Sequence, residues 1–250
     1  MKLRAITVAL ISVALILSWG QIAAAQPMEL PPIDISIGEE GATDWVFGLQ
    51  LLLLLTLLSL APSIVIMVTS FTRIIVVLSL LRNALATQRM PPNQIIVGLA
   101  LFLTLFIMTP VFSQINDEAL QPYLAQEIAE EEALDTAMEP IRNFMFDHVS
   151  ERDLALFIEI SGEDRPDGPE DVGTLVLIPA FIISELKTAF QMGFLLYIPF
   201  IIIDMIVAST LMSMGMLMLP PVMISLPFKI LLFVLVDGWH LVIRSLVATF

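Results

Sequence analysis

The sequence at residues 184–221 reads SELKTAFQMGFLLYIPFIIIDMIVASTLMSMGMLMLPP. Three charged residues, Glu185, Lys187 and Asp204, stand in a run that is otherwise as apolar as lipid. A charged side chain near the centre of a bilayer costs about 3 kcal/mol, so it persists where it pairs inside a helix bundle or lines a watery path. The stretch therefore predicts a membrane protein that forms an assembly or a pathway.

The composition of the whole chain supports a membrane protein with several spans. Of its 250 residues, 58% are hydrophobic and only 14% are charged, and its apolar runs are longer than a soluble core needs. We therefore predict an all-α integral membrane protein built from kinked helical hairpins. Because cysteine is absent, disulfides, thiol nucleophiles and thiolate metal sites are excluded. With only 11 basic residues, no nucleic-acid-binding face is indicated.

The first residues are typical of a secretory signal peptide. Lys2 and Arg4 precede a short apolar run, which is followed by three consecutive alanines that end at Ala25. We predict that residues 1–25 are removed and that residues 26–44 form an extracytoplasmic segment. An uncleaved first membrane helix is the alternative.

The charges outside the apolar runs indicate the orientation of the chain. Arg82 and Arg89 flank a short turn near residues 82–94, and the positive-inside rule places such a turn in the cytoplasm. Of the 25 acidic residues, 17 lie in residues 114–174. We predict that this segment is an acidic periplasmic helical domain with a linker, and that residues 45–113 form a first membrane hairpin.

The first apolar block, residues 45–81, has an unusual length. It is too long for one span of about 20 residues and too short for two spans with a loop. A kink at Pro62 is expected, because proline removes a backbone donor. Arg73 lies in the same block, where it either snorkels to the cytoplasmic face or pairs with a carboxylate of another helix.

The last block, residues 175–250, has no polar loop but contains several prolines. Broken helices are the expected result, and irregular backbone at membrane depth must be buried in protein or line a watery cavity. We predict one hairpin with a Met-rich loop at residues 212–221. The predicted hinges and breaks of the whole chain are Pro62, Pro199, Gly215, Pro220 and Pro221.

Four methionines, Met212, Met214, Met216 and Met218, alternate near the tip of this hairpin. On a regular helix their spacing scatters them over two faces, whereas in an extended segment all four lie on one side. Methionine is flexible and polarizable, so a ring of such loops from several subunits could seal a channel and deform around what passes. Gap-filling methionines of a core are the alternative.

The charged residues in the apolar blocks need partners. Glu185 and Lys187 are two residues apart, so on a helix they point away from each other and cannot form a local pair. Lys229 and Asp237 are candidate partners within the chain, and other copies of the protein are candidates across an interface. The charges that we predict to be buried at helix or subunit interfaces are Arg73, Glu185, Lys187, Asp204, Lys229 and Asp237.

A polar face and the absence of catalytic motifs bear on the class of protein. Asp237, His240 and Arg244 follow helical spacing, as expected of a structural polar seam or of a proton relay.

The sequence contains no nucleophile elbow, phosphate loop or metal-binding histidine spacing. We predict no catalytic residue, no metal site and no cofactor.

Six motifs stand out in the two membrane blocks. They are FTRIIVVLSLLRNAL at residues 71–85, PPNQ at 91–94, FIISELKTAF at 181–190, PFIIID at 199–204, LPFK at 226–229 and VDGW at 236–239. Together they resemble the FliP family of flagellar export-gate proteins. The resemblance covers both blocks and leaves out the acidic segment.

This resemblance implies a function. It implies a channel-forming subunit of the flagellar type III protein export gate, which passes unfolded flagellar proteins across the bacterial inner membrane at the basal body and is not an enzyme. It further implies a ring of copies of the chain, five by analogy with the family, together with FliQ and FliR and with FlhB and FlhA nearby.

The resemblance also implies roles for residues. Glu185, Lys187 and Lys229 would pair between subunits of the ring, and the Met-rich loop would close the channel. Leu217 departs from the family's run of methionines, and Ala86 stands where glycine is common, which implies a slightly stiffer seal.

Two other functions remain as alternatives. The equivalent subunit of a virulence injectisome shares the membrane motifs, although the signal peptide and the acidic segment favour the flagellar system. A secondary transporter would use the intramembrane charges for a solute, but two halves with corresponding broken segments are not evident.

Overall fold

The structure is a computed structural model, which describes residues 42–87, 90–162, 166, 168–216 and 218–250. All regular secondary structure in these ranges is helical. The predicted signal peptide, the predicted extracytoplasmic residues 26–41, Arg89 and Leu217 lie outside the described residues. The helices are α1 (Ala42–Met67), α2 (Phe71–Ala84), α3 (Asn93–Ile115), α4 (Gln121–Leu124), α5 (Glu130–His148), α6 (Glu151–Ser161), α7 (Thr174–Ser213), α8 (Pro221–Leu235) and α9 (Gly238–Val247).

The chain separates into two units, Met1–Leu52 and Leu53–Phe250. In the first unit, the described residues 42–52 are helical. In the second unit, a π-helical turn, Asn116–Leu120, joins α3 to α4, and a 3-10 turn, Pro169–Asp171, precedes α7. The apolar core and the polar clusters among the described residues belong to the second unit.

Within the part of the chain that the structure describes, three helical segments are long and apolar enough to cross a membrane: Gly48–Met67, Asn93–Leu124 and Thr174–Ser213. Helices α8 and α9, which meet at a bend of 63°, would together make a fourth. The prediction of an all-α membrane protein is confirmed for the described residues, and the chain is a multi-pass membrane protein by the length and composition of these helices. The 40 residues of α7 span about 60 Å, twice the hydrocarbon thickness of about 30 Å.

The first apolar block breaks at residues 68–70 and not at Pro62. Both Pro62, in α1, and Pro199, in α7, lie inside continuous helices, so the chain does not break at these two prolines, and a kink at Pro62 or a hinge at Pro199 stays a prediction. A proline costs a helix one hydrogen bond, whereas a break in apolar surroundings frees several backbone groups at several kcal/mol each. At the break, the Thr69 hydroxyl donates to the Ile66 carbonyl (3.0 Å) and accepts from the Phe71 N–H (3.4 Å).

Among its described residues, two apolar clusters form the core of the second unit. The first joins α2 to α3, α7, α8 and α9, and its central side chains are Ile74, Leu78, Leu81, Ile96, Ala189, Phe233 and Leu246. The second joins α3 and α7 to the acidic helix α5 through Met108, Phe144, Met145, Leu177 and Phe181. Helix α6 also packs against α7. The described acidic helices therefore pack on the first part of α7 and share its core.

Helices α2 and α7 approach each other closely at Gly193. A Cβ atom on Gly193 would lie 2.2 Å from Leu80 Cδ1 and 3.1 Å from Leu80 Cβ, so only glycine fits without a shift. Arg73, near the start of α2, contacts Glu185 of α7. Leu80, later in α2, lies against Gly193, later in α7. The two helices therefore run in the same direction.

Replacing Gly193 with alanine should destabilise the protein by about 1–3 kcal/mol, because the added methyl group overpacks the contact with Leu80. The measurement is thermal unfolding of the detergent-extracted chain. Gly98→Ala is the matched control, since a Cβ on this α3 glycine meets nothing within 4 Å and alanine favours helix by up to about 1 kcal/mol. Equal stability of the two variants would contradict the proposed contact.

Candidate functional site

Arg73 on α2 and Glu185 on α7 form a buried ion pair. The Arg73 Nε donates to Glu185 Oε2 at 2.9 Å, and Nη2 donates to Oε1. Both side chains are almost completely buried. The flat guanidinium matches the two carboxylate oxygens, so each charge is neutralised by a two-point contact. Pairing is thus the alternative that the structure selects for Arg73, and Glu185 contacts neither Lys229 nor Asp237.

The remaining face of the guanidinium is covered by Thr249 and Phe250. Arg73 Nη1 donates to the Thr249 carbonyl and to its hydroxyl, both at 3.0 Å. The Phe250 ring lies over the guanidinium, with its centroid 3.9 Å from Cζ, and stacks against Phe144 of α5 at 6.2 Å between centroids. Arg73 therefore connects α2 with α7, α5 and the residues after α9. No sequence signal pointed to Thr249 or Phe250.

Ser184, next to Glu185, ties the acidic segment to α7. Its hydroxyl donates to Asp153 Oδ2 at 2.9 Å and accepts from the Ser150 N–H at 2.9 Å. Both Ser184 and Asp153 are buried, so these hydrogen bonds remove the penalty of burying their polar groups. Lys187 lies near the same carboxylate, with its Nζ 3.9 Å from Asp153 Oδ2, but 48% of its side chain is exposed.

A second ion pair joins α8 to α7. Lys229 Nζ lies 2.6 Å from Asp204 Oδ2, and it also donates to the Ala84 carbonyl at 3.2 Å. The Ser225 hydroxyl donates to the other oxygen of Asp204 at 2.5 Å. Ala84 is the last residue of α2, where helix carbonyls lack intrahelical partners and a cation is favoured. Lys229 is buried, and 31% of the Asp204 side chain is exposed.

These contacts correct part of the predicted charge arrangement. Glu185 and Lys229 find their partners within one chain, so the expectation that they pair between subunits is wrong for these two residues. Lys187 and Asp237 are exposed in the chain rather than buried at a helix interface. Contacts of Lys187 and Asp237 with another subunit stay a prediction.

Asp237 does not share a regular helical face with His240 and Arg244. It is the N-cap of α9 with a positive φ of 49°, and it lies at the bend between α8 and α9. The next residue is Gly238, whose lack of a side chain permits this bend. A Cβ at this position would lie 2.2 Å from the Phe233 ring. Helical spacing alone could not reveal this bend, so of the three predicted residues His240 and Arg244 share a regular helical face and Asp237 does not.

The methionine loop, as we call residues 214–220, lies between α7 and α8. Helix α7 continues to Ser213, so Met212 lies in its last turn and the predicted loop at residues 212–221 was too long. Gly215 has a φ of +78°, and its N–H donates to the Met212 carbonyl at 3.1 Å. The Met216 N–H donates to the Leu211 carbonyl at 3.0 Å, which completes a Schellman motif. At the other end, Pro220 is the N-cap and Pro221 the first residue of α8.

The four methionines do not lie on one side of an extended segment, as the alternation predicted. Met212, Met214 and Met218 are exposed, and Met218 is 99% exposed. Met216 is half-buried, because the Schellman motif folds the chain back at this residue. A glycine directly after an apolar helix is the sequence signal that could have located this helix end.

The described residues contain no group of three histidine or acidic side chains that could hold a metal ion. The buried polar groups around the Arg73–Glu185 pair bind one another, and so do those around the Lys229–Asp204 pair. They serve to join helices.

Comparison with known proteins places this arrangement in a family. A family model described as the FliP family matches residues 54–246, a segment that contains both ion pairs and the methionine loop. The chain belongs to the FliP family. It is 61% identical over 201 residues to flagellar biosynthetic protein FliP of Bacillus subtilis (strain 168), which covers 80% of this chain and 91% of that relative.

Two further FliP relatives match at similar length. The flagellar biosynthetic protein FliP of Pectobacterium carotovorum subsp. carotovorum is 50% identical over 232 residues, 93% of this chain and 87% of the relative. That of Aquifex aeolicus (strain VF5) is 51% identical over 224 residues, 89% of this chain and 92% of the relative. The chain is therefore a transmembrane component of the flagellar export apparatus, from a family of structural proteins and not of enzymes.

Replacing Arg73 with methionine should destabilise this FliP-family chain by about 3–5 kcal/mol, because Glu185 would keep an unpaired charge in a buried position. The double variant Arg73→Met, Glu185→Leu should recover much of the loss. Arg244→Met, at an exposed arginine of α9, is the control and should change stability by less than about 0.5 kcal/mol. Unfolding in detergent measures all three, and a double variant no more stable than Arg73→Met would show that Glu185 is not the partner that matters.

Proposed function

We propose that this chain is the channel-forming subunit of the flagellar type III protein export gate and passes unfolded flagellar proteins across the bacterial inner membrane. The observation that carries this proposal is the methionine loop, with exposed, flexible thioether side chains at the tip of a hairpin. Side chains of this kind adapt to irregular shapes, so loops from several copies could close a channel and close again after a substrate has passed.

The exposed apolar surface supports an assembly of several subunits. In the most apolar stretch of α7, only 11% is buried within the chain. Because α7 is about twice as long as the hydrocarbon layer is thick, lipid cannot cover all of this helix. The proposal therefore includes a ring of copies of this chain, five by family resemblance, completed by FliQ and FliR, with FlhB and FlhA as further partners.

The orientation of the chain is part of the proposal. Residues 1–25 would be the cleaved signal peptide, residues 114–174 would lie in the periplasm, and the turn near residues 82–94 would face the cytoplasm. Support comes from the acidic segment, which holds 17 of the 25 acidic residues, and from Arg82 beside the turn. The apparatus would stand in the inner membrane at the flagellar basal body.

The saturated ion pairs argue against a secondary transporter. The carboxylates of Glu185 and Asp204 are bound by Arg73, Lys229 and Ser225, which leaves few polar groups to exchange with a solute. Transporter sites are typically formed by interrupted helices, whereas α7 runs through Pro199 without a break. The flagellar names of the relatives favour the flagellar gate over the injectisome equivalent.

Extraction in mild detergent after co-expression with FliQ and FliR should give one large hetero-complex of defined native mass. Apolar faces that the single chain leaves exposed would then be covered by protein. Native mass spectrometry measures the composition. A monomer or simple dimer that ignores both partners would contradict the gate and favour the transporter alternative.

Replacing Met216 and Met218 with serine should raise the ion conductance of the assembled gate several-fold, because small polar side chains neither fill the closed channel nor exclude water. Met138→Ser, at an exposed methionine of the acidic helix α5, is the control and should leave conductance unchanged. Conductance is recorded in planar bilayers with complexes of verified mass. A tight gate in the serine variants would remove the seal from the proposal.

A further inference from the structure

We propose that Lys229, Ser225 and Asp204 form a releasable clamp that positions the methionine loop and couples it to the turn that follows α2. The inference rests on the proposed gate function and assigns positioning roles to residues that lie away from the seal. Lys229 is the central residue of the clamp, because its ammonium group contacts both α7 and the end of α2.

The clamp joins the two arms of the hairpin behind the loop. Asp204 lies on α7, about 14 Å of helix before its last residue, Ser213. Its two carboxylate oxygens accept from two residues of α8, with Ser225 at 2.5 Å and Lys229 at 2.6 Å. Because this contact holds α7 and α8 together at Asp204, the direction in which the loop leaves α7 depends on it.

The same lysine fixes the end of α2. Its Nζ donates to the carbonyl of Ala84 at 3.2 Å, and Ala84 is fully buried. The chain turns directly after this point, since Leu85 follows as the C-cap and Ala86 has a positive φ of 55°. A displacement of this turn therefore acts on Lys229, and through Lys229 on the stem of the hairpin.

A clamp made of polar groups has a hydrated open state, which an apolar contact would not have. Apolar side chains of similar volume often hold helices together as well as a buried ion pair does, so stability alone does not account for the charges. An ion pair has one bonded geometry and a separate open state in which water replaces the partners. Asp204 is about one-third exposed, so water can reach the carboxylate when the arms part.

The experiment uses spin labels, for which the cysteine-free chain is suited. Single labels are attached through Leu219→Cys in the methionine loop, Met90→Cys beyond α2 and Met138→Cys in α5, three positions that are exposed in the chain. Label mobility is measured by EPR in the assembled gate, in backgrounds carrying Ser225→Ala or Lys229→Met. Native mass confirms assembly of each variant.

The two background variants should give different patterns. Ser225→Ala, which keeps the ion pair and the contact to Ala84, should mobilise the label at position 219 alone. Lys229→Met should mobilise the labels at positions 219 and 90, because it releases both contacts. Loss of one charge-assisted hydrogen bond corresponds to about a tenfold shift toward the open state, so ion leakage should rise about tenfold in Ser225→Ala. The label at position 138 should not change in either variant.

Other outcomes overturn the clamp. Unchanged mobility at positions 219 and 90 in assembled Lys229→Met would refute it, and mobilisation of all three labels would reduce these residues to a general structural role. The proposed gate is tested separately by Met216→Ser and Met218→Ser. If those variants leak while the clamp variants do not, the clamp fails and the gate stands; if the methionine variants are tight, the methionine seal fails, while the label mobilities still decide the clamp.

Discussion

The pairing of Arg73 with Glu185 is the interaction on which the rest of the structure depends. Each residue would be expensive in its own apolar helix, and the two costs are offset together when the guanidinium and the carboxylate meet at two points. This contact fixes how far α2 is shifted along α7. That register then sets Leu80 against Gly193 and brings the end of α2 to Lys229.

The long helix α7 divides into two functional parts. Its first part carries Ser184 and Glu185 and receives the acidic helices, whose polar groups it binds. Its second part carries Asp204, exposed apolar side chains and finally the methionine loop. One continuous helix therefore links the acidic segment to the proposed seal, and it runs through Pro199 without a break.

The sequence predicted the helical membrane class, the pairing requirement of the charges and the region of the loop. It could not choose the partner of Glu185, because Arg73 is 112 residues away and helical spacing reports only on near neighbours. The helices do not break at Pro62 and Pro199, because the cost of freeing backbone groups in apolar surroundings is larger than the cost of one lost hydrogen bond. Lys187 and Asp237 are exposed in the chain, and Lys187 lies only 3.9 Å from the carboxylate of Asp153, so the sequence pattern overestimated how deeply these two charges are buried.

The sequence separation of the central ion pair has a consequence for biosynthesis. Arg73 is translated 112 residues before Glu185 and 176 residues before Thr249. At about 5–20 residues per second, the ribosome needs about 6–22 s to produce Glu185 after Arg73. During this interval Arg73 lacks its carboxylate, so α2 gains the stabilisation of the ion pair only after α7 has been made.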